Sequence, residues 1–137
     1  MAALTAPRTT PQKLDPMTRS VPLLANAKVY QGGMVQIAAS TFAVAAVATA
    51  ANVTIGRARQ TVDNAGGANG AVSVEVDRGV HRYANSASGD LITRAEIGKT
   101  VYVVDDQTVA KTDNSAARPA AGTCYDVDAQ GVWVEFK

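Results

Sequence analysis

Apolar and polar residues alternate in short runs along most of the chain, the two-residue period of strands rather than the 3.6-residue period of helices. The clearest run is Ala71-Val72-Ser73-Val74-Glu75-Val76-Asp77, which puts Val72, Val74 and Val76 on one face and Ser73, Glu75 and Asp77 on the other. Val132-Trp133-Val134-Glu135-Phe136 repeats the pattern, with Val132, Val134 and Phe136 inward and Trp133 opposite them. Between Val53 and Val62, the residues Val53, Ile55, Arg57 and Arg59 share a face whose charged end predicts the solvent edge of a strand. Lys28-Val29-Tyr30, Gly32-Gly33 and Met34-Val35-Gln36-Ile37 predict a hairpin. Gly79 to Tyr83 continues the strand pattern past a kink or bulge at Arg78-Gly79. Turns are expected at Asn85–Gly89, Asp113–Ala116 and Asp128–Gly131. Phe42 to Ala51 carries conflicting signals, because alanine favours helix whereas valine and threonine favour strand.

One stretch is locally explicit. Thr93-Arg94-Ala95-Glu96 has the spacing of a capping box, and Gly98 is placed to end the turn it opens. Thr100 to Val104 then reads as a strand dense in β-branched and aromatic residues, closed by Asp105-Asp106. Many short strands with turn signals every eight to twelve residues imply an all-β barrel or sandwich built from short hairpins, with one short helical turn near 93–97.

Residues 1–24 are different. Pro7, Pro11, Pro16 and Pro22 fix φ, remove donors and bias their neighbours away from helix, so the segment predicts an extended N-terminal arm rather than a helix or an inner strand. At about 3.3–3.6 Å per residue, its first 22 residues could reach roughly 70 Å. Leu4, Leu14, Met17, Val21, Leu23 and Leu24 give it apolar anchors that a pure linker does not need. It reads either as a free tail or as an arm that orders against a neighbouring subunit. Pro7, Arg8, Pro11, Lys13, Leu14, Met17 and Arg19 are its candidate contact residues. Residues 25–137 are expected to form a single β domain.

Composition narrows the function classes. A chain of 137 residues buries a core without staples, and its 13 basic and 12 acidic residues leave a net charge of +1. No overall field draws it to nucleic acid or an anionic membrane, and aromatics at 5% leave little for base stacking. The N-terminus lacks the apolar core of a signal peptide, and the longest small-apolar run, about ten residues, is half of the ~20 needed to cross a membrane. The expectation is a soluble protein made and used inside a cell.

Chemistry finds no clear home. The single histidine, His81, has no serine or Cys124 placed beside it by the sequence, and reads as a surface strand histidine. Cys124, the lone cysteine, excludes a disulfide framework and reads as a small buried hydrophobe. Asp126-Val127-Asp128-Ala129-Gln130-Gly131 resembles the opening of a calcium loop. The required bidentate acid would fall on Lys137, and strands rather than helices flank it, so it reads as a hairpin turn. The glycine-rich loop Asn64–Gly70 is followed by a strand and lacks the lysine of a phosphate loop; a mobile hairpin loop is expected. Asn52-Val53-Thr54 matches a glycosylation sequon without a secretory signal. Asp105 and Asp106 point to opposite faces and are expected to cap a turn. Trp133 reads either as an exposed interface anchor or as the cover of a barrel end. No enzyme, cofactor or metal site is expected.

Val80-His81-Arg82-Tyr83, the run from Ile92 through Gly98 to Asp106, Gly122, Asp126-Val127-Asp128 and Gly131-Val132-Trp133-Val134 together resemble the small capsid cement, or decoration, proteins of tailed bacteriophages. The resemblance covers about the last two-thirds of the chain. It implies a compact β-barrel-like domain on the outer surface of the expanded head, made in the host cytoplasm and often trimeric at three-fold and quasi-three-fold positions. Its implied partners are the major capsid protein and further copies of itself, with no nucleic acid and no membrane. A ligand- or receptor-binding β module of a phage head or tail is the alternative.

Overall fold

The computed structural model describes residues 2–137. Strands β1 (Thr18–Pro22), β3 (Met34–Ile37), β4 (Ala43–Ala45), β5 (Val53–Ala58) and β7 (Ser73–Asp77) form one five-stranded sheet in the order β1-β7-β5-β3-β4. Strands β8 (Gly79–Tyr83), β9 (Thr100–Val103), β10 (Val109–Ala110), β11 (Ala120–Asp128) and β12 (Gly131–Phe136) form a second, in the order β10-β9-β11-β12-β8. Strands β2 (Lys28–Val29) and β6 (Val62–Asp63) pair as a separate ribbon. All pairings between strands are antiparallel. The all-β expectation holds, in the form of a small sandwich.

Two apolar clusters explain the layering. Val101, Val103, Cys124, Val132, Val134 and Phe136 of the second sheet gather with Ile92, Tyr83 and Met34. Val35, Val74, Val76 and Ala58 of the first sheet gather with Leu23, just past β1, and Val29 of the ribbon. Met34 and Val35 therefore point into different clusters, and β3 is buried on both faces. A strand covered on both sides has no need of alternation, which is why Met34-Val35-Gln36-Ile37 reads as a continuous run.

The pattern at Ala71–Asp77 is realised within strand β7, with Val74 and Val76 buried and Ser73 and Glu75 exposed. Val72, expected inward, precedes the strand and is exposed, and Asp77, expected outward, is half-buried. Arg78-Gly79 is more than a bulge: the chain leaves the first sheet at Asp77 and enters the second at Gly79, whose φ is +103°. Glycine takes that conformation without the clash a Cβ would bring. The capping box is present. Thr93 Oγ1 accepts from Ala95 N, Glu96 Oε2 accepts from Thr93 N at 2.7 Å, and Arg94–Glu96 form a single 3-10 turn. Phe42–Ala51, left open by propensity, contains the short strand β4 and no helix.

Three expectations change. The arm is shorter than 1–24, because Thr18–Pro22 pair with β7 from Thr18↔Asp77 to Pro22↔Ser73 and Leu23 is 0% exposed. Pro22 fits because β1 lies at the sheet edge, where a missing donor breaks no inner ladder. The hairpin at 28–37 does not form; β2 pairs with β6 and β3 with β4 and β5, so Gly32-Gly33 joins two different sheets. The loop at Asn64–Gly70 is not a hairpin either, since it joins β6 to β7, which lie in different sheets. Asn64, nearly buried, closes it by donating from Nδ2 to Leu24 O and Ala68 O.

The turn at Asp113–Ala116 forms in an unusual way. Asn114, Ser115 and Ala116 have φ of 51°, 56° and 65°, and Ala117 N donates to Asp113 O at 2.9 Å, which makes one left-handed turn.

Candidate functional site

The N-terminal segment leaves the body at Met17, whose carbonyl accepts from Arg78 N at 2.8 Å. Asp15 turns the chain there: its Oδ1 accepts from Met17 N and its Oδ2 from Thr18 Oγ1, both at 3.1 Å. Pro7, Arg8, Pro11, Lys13 and Leu14 all lie in solvent, with Leu4 and Leu14 exposed to 72% and 93%. Arg19 is exposed as well, as part of edge strand β1. The candidate arm residues are thus together, and all of them are uncovered.

Trp133 lies apart from them, on the outer face of the second sheet. It is half-buried, so it is neither the freely exposed anchor nor the barrel lid expected of it. Its Nε1 donates to Asp128 Oδ2 at 2.8 Å, and the Arg82 guanidinium lies 5.6 Å from its ring centroid. Asp128 is held below the usual carboxylate range first by that indole bond, then by the backbone N–H of Gln130 and Gly131. Beside Trp133, the register of β11 against β12 shifts between Cys124 and Asp126, leaving Tyr125 as the extra residue. Bulges re-aim side chains. Here the bulge turns Tyr125 outward, 61% exposed, next to buried Cys124. Tyr125, Trp133, Val80 and Asp126 line a shallow depression of about 440 Å³. Sequence reading found the tryptophan and missed the tyrosine, because a bulge breaks the alternation from which outward positions are counted.

The other chemical candidates resolve into structure. His81 Nε2 sits 3.0 Å from Arg78 O and 3.6 Å from Asp77 Oδ1, with its ring centroid 6.2 Å from that of Phe136. Both His81 and Cys124 pair opposite Val134, from the two strands flanking β12. That separates them by two strand spacings, roughly 9–10 Å, with Val134 between them. Burial pushes the Cys124 thiol up, with the charges of Asp126 and Glu96 adding to it, the reverse of an activated thiolate. Asp77 is instead a structural partner, holding Arg57 through two bonds of 3.1 and 2.9 Å across β5 and β7.

The calcium-like run is a turn. Asp128 Oδ1 accepts from Gln130 N and Gly131 N, and Asp126 Oδ1 from Val127 N. Among the described residues no group of three or more His, Cys, Asp or Glu side chains is placed to hold a metal ion, and no helix is long and apolar enough to cross a membrane. Asp105 Oδ1 accepts from Gln107 N, so it caps its turn. Asp106 is raised, first by burial and then by the neighbouring charge of Asp105. The sequon asparagine, Asn52, is buried and donates from Nδ2 to Gln36 Oε1 at 3.1 Å, which leaves no free amide for a glycan.

The chain matches no protein-family model, no curated protein and no solved structure.

Proposed function

We propose that this protein is a decoration protein of a tailed-phage head, a cement that binds the outside of the expanded shell and ties major capsid subunits together. The observation that carries the reading is the exposed arm of residues 2–17 rooted directly in an edge strand of a β body. Leu4 and Leu14, both in solvent, suit a tether that is covered only on a larger surface. The mechanism is mass action: a ligand that binds only the expanded state stabilises it by RT ln(1 + [L]/Kd). Many copies on one shell add avidity. Trimeric packing at three-fold positions belongs to the same proposal. The reading rests on this arrangement and on the motif resemblance of the last two-thirds of the chain.

The test uses expanded capsids stripped of this protein, sedimented with the full chain or with a chain lacking residues 2–14, which keeps the Asp15 turn and β1. Saturable binding of the full chain that is lost on truncation supports a cement tethered by its arm. Equal binding of both moves the docking site to the β body. Binding of neither ends the capsid reading. The outward-facing depression at Tyr125 and Trp133 favours one second reading, a ligand-binding β module, and a ligand screen followed by indole fluorescence would then be the next experiment.

A further inference from the structure

We propose that the arm of one copy docks in the Tyr125–Trp133 depression of a second copy, so that the protein links to itself by arm exchange. This does not depend on the capsid reading.

The arm and the depression are complementary in three respects. Pro7, Pro11 and Pro16 bias residues 7–16 toward the extended polyproline conformation, which lacks internal hydrogen bonds and docks in aromatic-lined grooves at low entropic cost. The depression supplies such a lining, with Tyr125 on β11, Trp133 on β12 and Val80 on β8. At about 3.1 Å per residue, Pro7 to Leu14 spans roughly 22 Å, more than the roughly 10 Å across three strands.

Charge is complementary too. Asp126 lines the depression and Asp128 accepts from the indole of Trp133, whose ring Arg82 covers, whereas residues 2–16 carry Arg8 and Lys13 against Asp15. Finally, both surfaces are uncovered: Leu14 and Leu4 on one side, Tyr125 on the other.

The geometry also favours a second copy over the arm's own body. The Asp15 turn sends Lys13 back beside Arg19, Ser20 and Glu75 along edge strand β1 of the first sheet. The depression lies on the outer face of the second sheet. Docking on the same body would require the arm to leave that edge strand and cross to the second sheet.

The experiment follows weight-average mass by sedimentation velocity on the full chain between about 1 µM and 1 mM, with the emission of Trp133, the only tryptophan, read alongside. Association with concentration and a matching emission shift are expected. Tyr125→Ser and Leu14→Ser each change a strongly exposed side chain, and unchanged melting temperatures confirm that both fold. Each variant alone should associate at least tenfold more weakly. Mixed together they should regain mass, because one still has an intact arm and the other an intact groove. A protein that stays monomeric throughout overturns the proposal. So does association indifferent to Tyr125→Ser, a mixture that regains nothing, or an emission change independent of concentration, which would place the arm on its own body.

Discussion

Gln36 offers the sharpest test of how the first sheet is held. Its side chain is 0% exposed, yet it is polar, and a buried amide is tolerated only when its partners are present. Its Oε1 accepts from Val47 N at 3.0 Å and from Asn52 Nδ2 at 3.1 Å, and its Nε2 donates to Val47 O at 3.1 Å. One side chain thus substitutes for a strand in satisfying the segment after β4. Gln36→Met keeps the volume and removes every one of these bonds. Asn52 is nearly buried, so its stranded amide costs about 1–3 kcal/mol. The Val47 backbone lies beside a side chain open to solvent and can turn to water, so its two bonds cost nearer the net value of about 0.5–1.5 kcal/mol each. The expected loss is therefore about 2–6 kcal/mol, a large share of the roughly 5–15 kcal/mol that holds a domain folded. Urea unfolding at constant m-value measures it. Asn52→Ala should cost less, and the double variant should be clearly less destabilised than the two single losses combined, because both act through Oε1. A Gln36→Met protein within about 0.5 kcal/mol of wild type, the ordinary range of inert surface changes, would refute the network as a support.

Removing residues 2–14 should leave the melting temperature unchanged, whereas removing 2–24 should prevent folding by deleting β1 and Leu23; circular dichroism during heating separates the two. Gly122→Ala would drive its Cβ into the Glu135 carbonyl oxygen and should lower the melting temperature markedly, while Gly89→Ala, with open space around it, should not. Ala116→Gly should raise stability by up to about 1 kcal/mol, since left-handed backbone costs an L-residue roughly 1–2 kcal/mol and glycine returns only part of that as entropy. The raised Asp106 carboxyl is harder to ionise in the folded state than in the unfolded chain, so ionisation weakens the fold as pH rises through the unfolded and then the folded value. Asp106→Asn should therefore stabilise at pH 7 and lose that advantage toward pH 3. An advantage that grows on acidification would reverse the sign of the argument.

Local signals were legible wherever a few neighbouring residues decide the geometry. The capping box at Thr93–Glu96, the Asp128–Gly131 turn and the inward Val74 and Val76 all depend on spacings within one element. What the chain hid depends on partners distant in sequence. Lys28–Val29 and Met34–Ile37 look like a hairpin because two short strands flank a glycine pair, yet Val29 and Val35 are satisfied only when Asp63 and Val62 claim β2 and the longer β5 claims β3. Arg57 and Arg59 did fall on the outward side of β5, but Ile55 is an extra residue against β3, so Val53 and Arg57 owe their exposure to different stretches of the ladder. The exposed Tyr125 has the same origin at the bulge in β11. Bulges are set by cross-strand register, and no single-strand period reveals them.

The position of β1 bears directly on whether an arm here can serve as a tether. Once the Asp15 turn is drawn straight, tension on residues 2–17 enters the body along the axis of β1, so the backbone bonds joining Thr18–Pro22 to β7 are loaded together in shear rather than opened one at a time. Beyond them, Leu23 is locked in the apolar cluster, with its amide donating to Val72 O and its carbonyl accepting from Gly70 N. An arm attached through a loop would peel away at its first contact. An arm continuous with a paired edge strand and a buried leucine passes load into the sheet, and the chain between Asp15 and Leu23 is built in that order: turn, ladder, anchor.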